Sequence, residues 1–365
     1  MKLREIQIED YIQIKKLHTK YKLKILDKDE WINFWSENPC ILVSDTPIPM
    51  GWVLENEQNE IVGSISNIPK EYYYDNKKYV VACSHAWVVE DKFRLEAFSL
   101  LKNFFSQKNI DVFIVTTANE GSAKIWIRYG AKKVPLPTFQ NSMFLVLNLE
   151  KLIYSFLKRK KIYLGKIIEK FIFYLSFVLL YKKINFWKNI NQSKVVTINE
   201  IIDSKFDDFW KNYKSEFKYK FLQCRSASWI KWHIQKKIEN NKAWIMTVVE
   251  NKKLLGYAIC LEKNNEKIAL KRITIIDLVS LKDNEEVHLS LIKGCISESK
   301  KRGYHMLEVV GFKNLKRKIF YKFKTFNRKF SNFPFYYKNG KLIDKNFLST
   351  EDIWDSSLID GDSFL

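Results

Sequence analysis

A histidine within an apolar run is the residue of this sequence best suited to proton transfer. Residues 79 to 89 read YVVACSHAWVV, which predicts a long strand with Cys83, His85 and Trp87 on one face. An imidazole has an ordinary pKa of about 6.5, so it can accept a proton from an ammonium group, directly or through water. His85 is therefore the candidate general base, and a hydrogen-bonded core histidine is the alternative.

Two neighbouring stretches resemble the central motifs of the GNAT superfamily of acyl-CoA N-acyltransferases. They read VACSHAWVVEDKFRLEAFSLL at 81–101 and DVFIVTTANEGSAKIWIRYGAKKV at 111–134. In that family a long strand ends in V-x-P-x-Y-R, and a glycine-rich turn then opens a helix whose backbone N–H groups hold the CoA pyrophosphate. Such a site depends on free amides and the helix dipole more than on particular side chains.

The first motif is matched in part. Val89, Phe93 and Arg94 stand at the expected places, and Ala97 and Ser99 replace the two glycines. The resemblance implies that the strand amides near Val88 and Val89 polarise the acyl carbonyl. It also implies a set of acyl-CoA contacts, namely Val88, Val89, Arg94, Leu95, Ala97 and Ser99. The alternative is an ordinary amphipathic helix whose apolar side chains face the core, namely Leu95, Phe98 and Leu101.

The second motif departs from the family at its tyrosine. Asn119, Ala123 and Gly130 match, but Trp126 occupies the tyrosine position. In many family members that tyrosine donates a proton to the departing CoA thiolate, and an indole N–H is far too weak an acid for this role. The resemblance implies that Asn119, Ala123 and Trp126 contact the cofactor. Tyr129 is the substitute proton donor if the helix is rotated or unwound near its end.

The C-terminal half resembles a variant GNAT-like domain found in tandem-domain proteins of bacterial polysaccharide gene clusters. The residues that carry this resemblance are FDDFW at 206–210, the pattern R-S-x-x-W-x-x-W from Arg225, the strand around Asp277, and DGDS at 360–363. The stretch after Asp277 has no glycine where a pyrophosphate loop would lie, so this half is not expected to bind CoA. Arg225, Asp277, Asp360 and Asp362 are candidates for an acceptor pocket. The alternatives are a structural Arg–Asp pair and a solvated acidic tail.

The same order of strands and helices occurs twice along the chain. We therefore expect an α/β (α+β) fold of two tandem GNAT-like domains, each a mixed, mostly antiparallel sheet flanked by helices. The predicted N-terminal domain spans 1–149 and ends with a strand at SMFLVLNL. The predicted C-terminal domain spans 191–365.

A basic, helical connector at 150–190 joins the two predicted domains. Residues 150 to 189 contain ten Lys or Arg and two acidic residues, interleaved with apolar and aromatic side chains. Such a helix suits an anionic membrane surface. A packed interdomain helix with a solvated basic face is the alternative.

Composition restricts the class of protein. The five cysteines are scattered and never form CxxC, which argues against a disulfide framework or a zinc site, and no metal is expected. The first residues are charged rather than apolar, which predicts a cytoplasmic protein with optional contact at the inner membrane face. The formal charge of +21 suits anionic partners, but no nucleic-acid-binding motif accompanies it.

The resemblance implies an N-acyltransferase whose donor is acetyl-CoA and whose acceptor is a small or lipid-linked amine. The acceptor would be a sugar or amino-acid precursor of a cell-surface polymer. Two other functions stay open at this stage. One is an aminoacyl-tRNA-dependent transferase of the tandem-GNAT type, and the other is a non-catalytic binding or scaffold protein.

Overall fold

Two β-sheets form the framework of the computed structural model, which describes residues 1–44, 47–163, 165–329, 334–341 and 343–362. The strands of the described residues are, in chain order, β1 (Lys2–Glu5), β2 (Gly51–Glu55), β3 (Ile61–Tyr74), β4 (Lys77–Val89), β5 (Val112–Val115), β6 (Lys132–Lys133), β7 (Asn141–Val146), β8 (Thr197–Asn199), β9 (Leu222–Gln223), β10 (Ala243–Glu250), β11 (Lys253–Glu262), β12 (Arg272–Ser280), β13 (Met306–Val310), β14 (Phe326–Lys329) and β15 (Tyr336–Asn339).

Helices flank both sheets. They are α1 (Tyr11–Lys20), α2 (Lys28–Ser36), α3 (Pro39–Leu42), α4 (Ala97–Phe105), α5 (Glu120–Arg128), α6 (Leu149–Lys160), α7 (Lys166–Asn185), α8 (Ser204–Glu216), α9 (Ala227–Glu239), α10 (Glu285–Lys301) and α11 (Asn314–Tyr321). Short polar side chains cap several of their first turns, among them Asp27 on α2, Asn119 on α5 and Asn284 on α10. Each accepts a hydrogen bond from a backbone N–H group that the helix itself cannot satisfy.

The predicted fold class is confirmed by the two sheets. The first has the order β1-β2-β3-β4-β5-β15-β6, with β9 beside β3, and the second has the order β14-β7-β13-β12-β11-β10-β8. Pairing is antiparallel except between β4 and β5 and between β12 and β13. The chain crosses over each parallel pair through a helix, α4 in the first sheet and α10 in the second.

Each sheet contains strands from both halves of the chain. Strand β7 lies in the second sheet between β14 and β13, and β15 lies in the first sheet between β5 and β6. The prediction that the strand at SMFLVLNL closes the first unit is therefore wrong. Apolar periodicity identifies a strand but not the partner that its backbone pairs with. The proposed boundaries at 149 and 191 thus do not divide the sheets.

The connector is helical as predicted, and many of its apolar side chains are exposed. In α7, Ile167 is 84% exposed, Phe171 64% and Leu179 72%. In a packed interdomain helix these side chains would be buried, and here they are not. Within the described residues, no helix is long and apolar enough to cross a membrane.

Cutting the chain at residue 149 is expected to unfold both pieces. The piece 1–149 would lack β15, which bridges β5 and β6, and the piece 150–365 would lack β7, which bridges β13 and β14. Each would expose unpaired strand edges. Circular dichroism and gel filtration of the separate and co-expressed pieces measure this. Recovery of fold only on co-expression is the expected result, and cooperative melting of piece 1–149 alone would contradict the strand exchange.

Candidate functional site

A β-bulge interrupts β4 at Ala86. His85 faces Ser66 on β3 whereas Val88 faces Ser64, so three steps along β4 oppose two along β3. Ala86 adopts a φ of 49°, in the left-handed region that residues other than glycine enter at some cost. The extra residue leaves backbone groups of β4 outside the ladder at this point.

The bulge makes the predicted alternation along β4 wrong. Cys83 belongs to a buried cluster that Val88 also contacts, whereas Trp87 packs in a different cluster with Ala82 and Val89. Because one inserted residue shifts a period of two by one position, Cys83 and Trp87 lie on opposite faces of the sheet.

A cavity of about 430 Å³ opens where β4 and β5 separate. The pairing of these parallel strands ends at Cys83 and Ile114, and the residues beyond this point line the cavity instead. The lining comes from both sheets. It includes Ser84, His85, Ala86, Trp87, Thr117, Asn119 and Trp126 from the first half, and Lys263, Arg272, Thr274, Glu308, Leu358 and Asp362 from the second.

His85 forms a hydrogen bond with Asp362 at this cavity. Its Nδ1 lies 2.9 Å from Oδ2 of Asp362, and the hydroxyls of Thr116 and Thr117 donate to the same carboxylate at 2.7 and 2.8 Å. Burial alone would raise the pKa of Asp362, but the hydrogen bond and the electrostatic interaction with His85, together with the two hydroxyls, hold that pKa below its usual value.

An ionised Asp362 determines which nitrogen of His85 carries the proton. A carboxylate only accepts hydrogen bonds, so Nδ1 of neutral His85 must be the protonated nitrogen. The other ring nitrogen, Nε2, is then the proton acceptor. His85 lines the main cavity, and therefore the candidate base meets the geometric requirement for its role.

A buried polar network fixes the segment that carries Asp362. Arg225 donates to Asp277 at 2.9 and 3.2 Å, and Ser357 donates to the same carboxylate at 2.9 Å. Arg225 also lies 3.9 Å from Asp360. The side chains of Arg225 and Asp277 are 1% and 0% exposed.

Lys70 of β3 anchors the same segment from the first sheet. Its ammonium group donates to the carbonyl oxygens of Ile359 and Gly361, each at 2.8 Å. The hydroxyl of Tyr72 donates to the carbonyl of Asp360 at 3.2 Å. Burial lowers the pKa of Lys70 to about 8.

The prediction that Arg225 and Asp277 line an acceptor pocket disagrees with the structure. Within the described residues they are enclosed by protein, and the lining of the main cavity does not include them. Because each needs the other to offset the loss of hydration, they form the structural pair that was the alternative. Asp360 is also buried in this network, whereas Asp362 does line the cavity. These two acidic residues of the tail are therefore buried, not solvated.

Three candidate cofactor residues lie on or beside the cavity. Asn119 caps α5 by accepting from the backbone N–H of Ser122 at 2.9 Å, and it lines the cavity together with Trp126. Ala123 is buried between them on the same helix. The buried Nε1 of Trp87 faces no hydrogen-bond acceptor in the described part of the chain, although this ring lines the cavity.

The predicted pyrophosphate turn forms a short 3-10 helix, Asp91–Glu96, that leads into α4. Arg94 is exposed and forms an ion pair with Asp91 at 2.6 Å, and Leu95 is 87% exposed. Ala97 begins α4, and the hydroxyl of Ser99 donates to the carbonyl of Glu96 at 2.6 Å. These residues lie outside the cavity lining, as do Val88 and Val89. The exposure of Leu95 also disagrees with the amphipathic-helix alternative.

Tyr129 is not brought to the cavity. Helix α5 stays regular to Arg128, so Tyr129 lies at its far end from Asn119. Its hydroxyl donates to the carbonyl of Phe98 at 3.2 Å, and its ring stacks on Phe105. A role as proton donor required an unwound or rotated helix end, which the structure does not show.

A second cavity of about 210 Å³ also borders His85. Its other lining residues come mainly from α1, α2 and the loop between them, namely His18, Lys24, Ile25, Leu26, Trp31, Phe34, Trp35 and Ser66. Burial and the nearby His85 lower the pKa of His18 to about 4, so His18 is neutral near pH 7. Nδ1 of His18 and Nε1 of Trp35 contact no partner among the described residues.

Sequence reasoning missed the partners of His85 and the wall contributed by the second sheet. Lys263, Arg272 and Glu308 belong to no motif that we identified, and Thr116 and Thr117 lie within the stretch 111–134 but were not chosen as site residues. For Asp362 a signal was available, because the apolar Leu358 and Ile359 precede it, and a solvated tail does not need them. In the described part of the chain, no cluster of three His, Cys, Asp or Glu side chains could hold a metal ion.

No protein-family model and no curated protein matches this chain. Solved structures do. A conserved protein from Enterococcus faecalis V583, described as a probable N-acyltransferase, has a TM-score of 0.59 at 8% identity, over 93% of this chain and 73% of that one. A GCN5-related N-acetyltransferase from Anabaena variabilis has a TM-score of 0.56 at 10% identity, over 93% and 72%.

The N-myristoyltransferase of Saccharomyces cerevisiae, solved with bound myristoyl-CoA, has a TM-score of 0.55 at 13% identity, over 98% of this chain and 82% of that one. All of these proteins share little sequence with the chain, so the comparison concerns architecture. The two sheets, the parted strands β4 and β5 and these neighbours together show that the chain has the two-domain GNAT fold.

Proposed function

We propose that this protein is an N-acyltransferase that transfers an acyl group from acyl-CoA to an amine. The observation that carries the proposal is the His85–Asp362 pair, which stands where β4 and β5 part in a GNAT fold. An amine nucleophile must lose a proton, and an imidazole with a fixed tautomer is suited to accept it.

The mechanism follows from the cavity lining. The thioester enters between β4 and β5, where the ring of Trp87 lines the cavity. Backbone N–H groups freed by the bulge at Ala86 polarise the acyl carbonyl. The amine attacks the carbonyl carbon and forms the C–N bond, and the C–S bond then breaks.

His85 and the leaving group complete the step. Nε2 of His85 accepts the proton that the amine loses, and Asp362 stabilises the imidazolium that forms. The sulfur departs as a thiolate. Because a thiol has an ordinary pKa of about 8.5, this departure does not depend on a dedicated acid such as Tyr129.

The finer identity of donor and acceptor rests on sequence resemblance. Acetyl is the proposed acyl group because the motifs at 81–101 and 111–134 resemble those of acetyl-CoA enzymes. A sugar or amino-acid precursor of a cell-surface polymer is the proposed acceptor class. The support for it is the likeness of the C-terminal half to proteins of polysaccharide gene clusters.

We also propose that α6 and α7 rest on an anionic membrane surface, where a lipid-linked acceptor would be available. Exposed aromatic and aliphatic side chains cover this helix pair, among them Tyr154, Phe156, Phe171 and Tyr174. Lys158, Arg159, Lys160 and Lys161 follow each other at the end of α6. Apolar insertion and attraction of basic groups to anionic lipid act together in such segments.

Replacing Ala97 with Glu is expected to weaken acetyl-CoA binding by about tenfold or more. The new carboxylate would lie in the first turn of α4, beside the proposed diphosphate position, where it repels the anion. Calorimetry measures the affinity. Ala97→Gly is the matched control and should bind as the unchanged protein does. Equal affinity for acetyl-CoA in Ala97→Glu would show that the first turn of α4 does not bind the pyrophosphate.

Replacing His85 with Gln is expected to lower kcat by about a hundredfold or more, since general-base catalysis contributes on that scale. Asp362→Asn should also lower kcat, because an amide can hold the wrong imidazole tautomer. Acetyl-CoA affinity should stay near that of the unchanged protein in both variants. His305→Gln, which changes a histidine outside the cavity, is the control. Full activity of His85→Gln would overturn the assignment of the base.

Replacing Lys158, Arg159, Lys160 and Lys161 with Gln is expected to release the protein from anionic vesicles. Four charges at about 1 kcal/mol each correspond to a loss of roughly a thousandfold in affinity. The control replaces four exposed lysines elsewhere, namely Lys15, Lys16, Lys211 and Lys231. Vesicle flotation at low and high salt measures the binding. Failure of the unchanged protein to float with anionic lipid at low salt would end the membrane proposal.

A further inference from the structure

Three cationic side chains line the same cavity as His85. Lys24 lies in the loop between α1 and α2, Lys263 directly follows β11, and Arg272 begins β12. Two loops and one strand end therefore place positive charge around one space. The cofactor candidates Asn119 and Trp126 also line the cavity, but they belong to α5 of the first half.

The two carboxylates of the cavity accept hydrogen bonds from one of these three cations and from groups outside the set. Glu308 accepts from Arg272 at 2.9 Å and also from Arg328 and Ser142. Asp362 accepts from His85, Thr116 and Thr117, as described above. The charge of Glu308 is thus shared between two arginines, and the cavity keeps an excess of positive charge.

The pKa of Lys263 reflects both its burial and the electrostatic repulsion among these cations. Burial, together with the charges of Lys24, Lys237 and Arg272, lowers its pKa to about 7, while Asp362 acts in the opposite sense. Burial and Lys24 likewise lower the pKa of Lys237, although Glu30 opposes this. Neighbouring like charges in a partly buried space disfavour one another, and a bound anion would relieve them.

We propose that the cavity wall formed by Lys263, Arg272 and Lys24 binds an anionic group of the acceptor, a carboxylate or a phosphate. The identification of the ligand as the acceptor rests on the proposed acyl transfer, whereas the anion site rests on the charges themselves. Lys263 and Arg272 provide charged N–H donors, and both carboxylate and phosphate accept such hydrogen bonds.

The site narrows the acceptor class. An acceptor that carries its amine and its anionic group in one small molecule could place the amine at His85 while the anion contacts Lys263. Amino acids and phosphorylated amino sugars have this combination. A simple alkylamine does not, so it would use only the His85 side of the cavity.

Sulfate is a suitable probe, because it stays doubly charged between pH 6 and pH 8.5 while Lys263 titrates. Equilibrium dialysis at constant ionic strength, with and without saturating CoA, should show that Lys263→Gln binds sulfate about tenfold more weakly at pH 6 than the unchanged protein. Lys267→Gln, an exposed lysine in the same loop, is the control and should bind normally. Equal binding by Lys263→Gln would overturn the site.

The pH dependence gives a second readout. In the unchanged protein sulfate binding should weaken by roughly tenfold between pH 6 and pH 8.5, since Lys263 loses its proton over this range. Lys263→Arg should keep its affinity at pH 8.5, because a guanidinium stays charged. The two proteins differ only at residue 263, so the comparison isolates the contribution of Lys263. An equal pH response in Lys263→Arg would count against Lys263.

The outcomes separate this inference from the proposed function. If the unchanged protein binds CoA and transfers the acyl group, but Lys263→Gln binds sulfate as well as the unchanged protein does, only the anion site is refuted. If sulfate binding depends on Lys263 but the protein binds no CoA, the transferase function is refuted and the anion site is supported. Acceptors with and without an anionic group, used at equal kcat/KM, would contradict the acceptor assignment.

Discussion

The contact between β3, Arg225 and the C-terminal segment determines where the candidate active site can form. Lys70 binds two carbonyl oxygens of that segment, and the Arg225–Asp277 pair binds its neighbours Ser357 and Asp360. All of these groups are buried, so none can be removed without leaving an unpaired charge or dipole in the interior. These contacts hold the segment in one position and so orient the side chain of Asp362 toward His85.

The exchange of strands between the sheets gives this position its rigidity. Strand β15, which precedes the C-terminal segment, is a member of the first sheet, and β7 is a member of the second. The two halves consequently share backbone ladders as well as side-chain contacts. A catalytic pair formed by residues far apart in sequence, here His85 and Asp362, needs such a frame, because a displacement of one ångström disrupts proton transfer.

Local patterns predicted the elements well and their pairing poorly. The strands, the helices around Ala97 and Asn119, and the histidine of β4 follow from periodicity, capping residues and motif resemblance. The bulge at Ala86 could not be predicted, because an inserted residue is visible only relative to the partner strand. The same holds for β7 and β15. Asp362 was identified as a site residue, but its partner lies 277 positions away in the sequence, and no local pattern records that contact.

The misplaced candidates have a common physical reason. Arg225 and Asp277 were chosen as charged residues of the stretches that resemble the variant GNAT-like domain, yet they bind each other inside the protein. Tyr129 was chosen by its closeness in sequence to Trp126, but a regular helix carries it away from the cavity. In both cases the residue type is suited to the proposed chemistry, but the fold places the residue where it cannot contact a molecule in the cavity.

The central claim is that the anchored C-terminal segment fixes the tautomer of His85 through Asp362. Nitrogen NMR of histidine-labelled protein measures this directly, and the spectrum is simple because the sequence contains five histidines. His85→Gln assigns the signal. The neutral ring of His85 is predicted to carry its proton on Nδ1 in the unchanged protein and to lose this preference in Asp362→Asn. A neutral ring protonated on Nε2 in the unchanged protein would contradict the account.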